Sequence, residues 1–139
     1  MHLRAIAVLL FSVSALAGCG GVGSEKKQLE ETMYHYATAV RWGDVEQILA
    51  FHDPEVLAKS PPESLELERW RQLRVTGYRA RGTEPQPDDT VIQFAEIEFI
   101  NRHTLTASSL LDREQWRFDD EAQRWWLTSG LPDLDQRSR

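Results

Sequence analysis

The sequence predicts an α+β fold, N-terminal helices packed on a curved antiparallel sheet, and three observations predict it. Apolar residues recur at helical spacing from about residue 25 to residue 49, then alternate with polar ones from about residue 71 onward. Clusters of turn-forming residues cut the second half into segments of strand length. The chain of 139 residues, 41% apolar and 27% charged, suits one packed domain, since chains divide only beyond roughly 250 residues. Its net charge of −6 excludes the basic footprint that a nucleic-acid binder needs. One cysteine excludes an intramolecular disulfide framework and a multi-cysteine metal site.

Residues 1–18 stand outside that domain. Arg4 is their only full charge, and the stretch 5–17 is apolar apart from Ser12 and Ser14. A membrane-spanning helix needs about 20 apolar residues, so the run fits the core of a secretory signal instead. It ends in Leu16-Ala17-Gly18-Cys19, which resembles the lipobox of bacterial lipoproteins. That resemblance implies lipidation at Cys19: a thioether-linked diacylglycerol, cleavage before the cysteine, and a further palmitate-type acyl chain on the freed amine. Two acyl chains already anchor stably, so the membrane is the first expected partner, reached through lipid. Gly20, where an inner-membrane retention signal would carry Asp, implies the outer membrane with the domain facing the periplasm. Cleavage would leave 121 residues with 15 basic against 22 acidic, a net −7; such a domain does not hold anionic membrane by its own charge.

Residues 19–24 read as the lipidated cysteine and a flexible glycine-rich tether, with no phosphate-loop pattern after the glycines. The domain is expected over residues 25–131, with 132–139 as a frayed tail. Ser24 is positioned to cap a first helix starting at Glu25, whose stripe is Leu29, Met33, Tyr36, Ala37 and Val40. Gly43 ends it, and Asp44 with Gln47 makes a capping box for a second helix burying Val45, Ile48 and Leu49. Asp53-Pro54 breaks that run. Ser60-Pro61-Pro62-Glu63 predicts a third helix, Ser60 as cap and Pro61 in the first position.

A strand is predicted over 73–78, then a turn region containing Gly82, Pro85, Pro87 and Asp88-Asp89. Residues 90–100 and 104–118 read as a long hairpin around Asn101-Arg102-His103, and 124–129 as a last strand. With Ile100 opposite Thr104, the helix-facing side collects Val91, Ala95, Ile97 and Phe99 against Leu105, Ala107, Ser109 and Leu111. Its polar groups are then Gln93, Ser109, Arg113 and Gln115. The opposite face receives Glu96, Glu98, Asp112, Glu114 and Trp116.

Residues 36–49, Tyr-Ala-Thr-Ala-Val-Arg-Trp-Gly-Asp-Val-Glu-Gln-Ile-Leu, are similar to the first-helix, Gly-Asp, second-helix entry of the nuclear-transport-factor-2-like superfamily. His52-Asp53-Pro54-Glu55, Gln115-Trp116-Arg117-Phe118 and Arg124-Trp125-Trp126-Leu127 resemble its next turn and last hairpin. The resemblance implies an α+β cone, shared with ketosteroid isomerases, scytalone dehydratase and polyketide cyclases, and a pocket between helices and sheet. Enzymes of this fold place an acid or base there beside a tyrosine or a second acid.

Among candidate residues, Tyr36 lies on the first helix's apolar stripe, where it either lines a pocket or serves the core. Trp125 and Trp126, adjacent in a strand, must face opposite ways; one beside Trp116 on the outer face would make a surface for an envelope protein partner or a homodimer. The basic run Arg69, Arg71, Arg74, Arg79 and Arg81 either guards a strand edge or meets an anionic partner. No histidine pairs with a carboxylate at metal-ligand spacing, so neither a metal site nor a cofactor beyond the lipid is expected. With no acid on the predicted pocket face, no catalytic residue stands out, and the leading expectation is a non-catalytic binding or accessory domain for a protein partner or small apolar ligand. The alternative is a small isomerase-, dehydratase- or cyclase-type enzyme using Tyr36 with an acid.

Overall fold

The computed structural model describes residues 21–136. Cys19 and the signal-like segment fall outside them. Four helices, α1 (Gly21–Trp42), α2 (Val45–Leu49), α3 (Pro54–Lys59) and α4 (Ser64–Arg71), precede four strands, β1 (Leu73–Pro85), β2 (Val91–Asn101), β3 (Ala107–Asp119) and β4 (Arg124–Leu127). The strands form one antiparallel sheet in the order β1-β2-β3-β4. The fold is α+β, as the change of hydrophobic period predicts.

Helix α1 lays Leu29, Met33, Tyr36 and Val40, the predicted stripe, against the sheet. It begins at Gly21, so most of the segment read as a tether is helical and Ser24 lies inside the helix rather than capping it. Asp44 caps α2 as predicted, its Oδ1 accepting the Gln47 N–H at 2.9 Å. Gly43 between the helices has to be glycine, because a Cβ there would meet the Ala39 carbonyl at 2.6 Å.

Two helix boundaries differ from expectation. Asp53-Pro54 both ends the α2 segment and starts α3, with the Asp53 carboxylate accepting the Glu55 N–H at 2.9 Å and Pro54 in the first turn. Ser60 consequently closes α3 instead of opening the next helix, which begins only at Ser64. The second of the two prolines explains this, since a residue preceding proline is pushed out of the helical region and Pro61 precedes Pro62.

The hairpin register is the main correction. Ile100 pairs with Ala107 rather than being opposite Thr104, and Gln93 pairs with Glu114. The loop is longer than predicted: Asn101 N–H bonds to the Thr106 carbonyl, and Leu105 turns back to the Asn101 carbonyl with φ of +57°. The Asn101 side-chain oxygen accepts the N–H groups of both His103 and Thr104. An odd shift in pairing turns every β3 side chain to the other face. Leu110, Glu114 and Trp116 therefore face the helices, while Leu111 and Arg113 face solvent. The C-terminal segment packs where fraying was expected: Leu131, Pro132 and Leu134 are buried, and Arg69 grips Asp135 with two bonds.

Candidate functional site

A polar cluster lies beneath α1 on the helix-facing side of the sheet. Glu114, on β3, has no exposed surface. Its Oε1 accepts from the Tyr78 hydroxyl at 2.6 Å, and its Oε2 from Gln93 at 2.9 Å and the Trp116 indole at 3.3 Å. The same Gln93 amide also donates to the Tyr78 oxygen at 3.0 Å. Register explains the gathering, since Tyr78 and Gln93 project from β1 and β2 on the same side as Glu114.

Electrostatics follow from that burial. Desolvation pushes the Glu114 carboxyl up to about 7 against the pull of its three donors. Asp112, half-buried two positions along β3, is raised to about 7 by burial and then by the Glu114 charge. The Tyr78 hydroxyl is raised by burial and by the same carboxylate. Tyr36 is fully buried, its hydroxyl has no hydrogen-bond partner among the described residues, and burial followed by Glu114 and Asp112 raises its pKa well above the ordinary value. Its ring meets those of Trp116 and Phe51 edge-on at 5.3 and 5.6 Å.

A cavity of ≈ 660 Å³ lies elsewhere. It opens at the C-terminal end of α1, between α2, α4 and the start of β1. Its apolar wall includes Val40, Val45, Ile48 and Trp70, each nearly fully buried, and its rim carries Arg41, Arg71, Arg74 and Arg102. Trp42, 75% exposed, stands beside it with the Arg41 guanidinium 4.9 Å from its ring.

No family model and no curated protein matches this chain.

The candidate aromatic residues are dispersed. Trp116 is in the core, not on the outer face, because of the register correction. Trp125 is buried and donates to the Glu25 carbonyl at 3.0 Å, tying β4 to the start of α1. Trp126 faces the other way, half-buried, under the Arg124 guanidinium at 3.7 Å and donating to Asp119. With Trp116 buried, the expected outer-face pair of Trp116 with one of Trp125 and Trp126 is not formed.

The basic run is largely engaged. Arg69 pairs with Asp135, Arg71 with Glu46 and Glu68, Arg79 with Glu96 and Glu98, and Arg81 with Glu96. Arg74 alone of the run has no carboxylate partner among the described residues. Sequence reasoning missed Tyr78 and put Asp112 and Glu114 on the wrong face. The row Leu110, Trp116 and Phe118 against Leu111, Arg113 and Arg117 carried the available signal, since it places the larger apolar set on the even-numbered face.

Proposed function

We propose that this chain is a lipid-anchored envelope protein, acylated at Cys19 on the periplasmic side of the outer membrane, whose domain binds a small apolar ligand. The lipobox-like Leu16-Ala17-Gly18-Cys19 supports the anchor, and the helix-then-sheet order supports a cone-like relationship to nuclear-transport-factor-2-like proteins. The ≈ 660 Å³ cavity carries the binding reading: it lies within the roughly 300–1,000 Å³ of small-molecule sites and offers a buried apolar wall. Its wall lacks the Glu114 cluster, whose carboxylate is closed off and fully engaged.

Titration with dodecanol, followed by tryptophan emission, tests the binding. A saturable change that is lost in Thr76→Trp, which narrows the cavity mouth, is expected; the absence of saturable binding by alcohols of any length would overturn the reading. For the anchor, Cys19→Ser should abolish incorporation of labelled palmitate and release the protein from membranes. Continued membrane fractionation without label would remove the lipoprotein assignment.

A second reading rests on the raised Asp112 and Glu114 carboxyls beside the partnerless Tyr36 hydroxyl. Groups titrating near neutrality suit general acid–base work, as in an isomerase, dehydratase or cyclase. Deuterium exchange at the α-carbon of small cyclic ketones, lost in Asp112→Asn, would support it. Exchange no faster than buffer across such a panel would exclude it.

A further inference from the structure

We infer that the cavity at the end of α1 takes a single-tailed amphiphile with an anionic head, carboxylate or phosphate, the head held by Arg74 and Arg102 and the tail lying along Trp42, Leu73 and Val75. The inference rests on the ligand-binding reading and specifies its ligand class.

Charge is the first argument. Among the described residues, Arg69, Arg71, Arg79, Arg81 and Arg117 are all paired with carboxylates. Of the five described arginines without such a partner, three, Arg41, Arg74 and Arg102, line this one cavity, and Arg113 and Arg124 lie elsewhere. Arg102 spends only its Nε–H, on the Leu73 carbonyl at 3.0 Å, leaving its terminal nitrogens available. The acidic groups near the rim are already committed: Asp44 caps α2, while Glu46 and Glu68 both hold Arg71. An acidic protein has thus gathered uncommitted positive charge around an apolar hollow, an arrangement that favours an anion attached to an apolar body.

The apolar lining is the second argument. Trp42, Leu73 and Val75 line the same cavity as the arginines and keep part of their surface open. An anion alone would leave that lining uncovered, and a hydrocarbon alone would leave the arginines unsatisfied.

The test compares dodecanoate, dodecyl phosphate, dodecanol and dodecylammonium below their micellar concentrations, with inorganic phosphate as a headgroup without a tail. Both anionic amphiphiles should bind about tenfold or more tighter than dodecanol, the gain expected of a charge-assisted hydrogen bond. Tighter binding of dodecyl phosphate than of dodecanoate identifies a phospholipid-like source, and the reverse a free fatty acid; inorganic phosphate alone should bind weakly. Arg74→Glu, at an exposed position, should abolish the anionic preference, read as the ratio of dodecanoate to dodecanol affinity. Equal affinity for dodecanol and the anions overturns the head-group inference while the apolar-ligand reading stands. Failure of all four amphiphiles overturns both, and preference for dodecylammonium overturns the charge assignment.

Discussion

A carboxyl group as deeply placed as that of Glu114 persists because donors from three strand residues converge on its two oxygens. Tyr36 is the opposite case: its ring packs between Phe51 and Trp116, but its hydroxyl has no partner. Removing an unpaired buried hydroxyl recovers desolvation free energy that no hydrogen bond returns, so Tyr36→Phe should stabilise the domain by about 1 kcal/mol. Urea denaturation at constant m-value measures this, and a loss of stability would show that the hydroxyl has an acceptor in solution. The candidacy of Tyr36 was legible in the sequence from its place on the α1 stripe. Its neighbours Glu114 and Tyr78 were not, because they reach it only through strand pairing between residues far apart in the chain.

At the scale of elements, the hairpin between β2 and β3 decides the chemistry of the whole sheet face. Five loop residues, Arg102 to Thr106, and the Asn101 side chain fix the register, with Leu105 in the left-handed region and 74% exposed. A leucine there has no burial to offset its backbone strain. Leu105→Gly should therefore raise stability by up to ~1 kcal/mol while keeping the register. Thermal melts would show the gain, and a destabilised variant would mean that Leu105 has packing absent from this loop geometry. Helix positions were readable because their period and caps are local, as Asp44 and Gln47 show. The start of α4 and the pairing of β3 were not. The first turned on one proline constraining another, and the second on a loop whose turn residues do not set its length, so that only the β3 alternation fixed which face is buried.

At the scale of the molecule, a cysteine-free domain depends on packing, and its buried ionisable groups make that stability depend on pH. Glu114 and Asp112 titrate near 7 in the folded chain, above their ordinary values of 4.5 and 3.8, because burial disfavours their charge. Raised pKa values mean that the native state binds more protons than the unfolded chain between about pH 4 and 7. Their contribution is therefore fully present below the unfolded pKa values and is lost as pH rises through about 7. His52 acts in the opposite sense. It is 1% exposed, and burial holds its imidazole below the ordinary 6.5, so its contribution is present above that value and falls away on acidification. Two carboxyls outweigh one histidine from pH 8 down to about 6, because the native state takes up close to two protons on Glu114 and Asp112 while the unfolded chain takes up less than one on His52. The melting temperature should accordingly rise by several degrees over that interval, at roughly 4 °C per kcal/mol for a domain of this size. Glu114→Gln removes one of the two titrating carboxyls while keeping its shape, along with the charge that helps raise Asp112, so the variant's melting temperature should rise by less than half as much across the same interval. Calorimetry on both proteins decides it: a wild-type melting temperature that is flat, or that falls on acidification from pH 8 to 6, would show that Glu114 and Asp112 remain ionised inside the fold. The three donors around Glu114 would then have outweighed its burial.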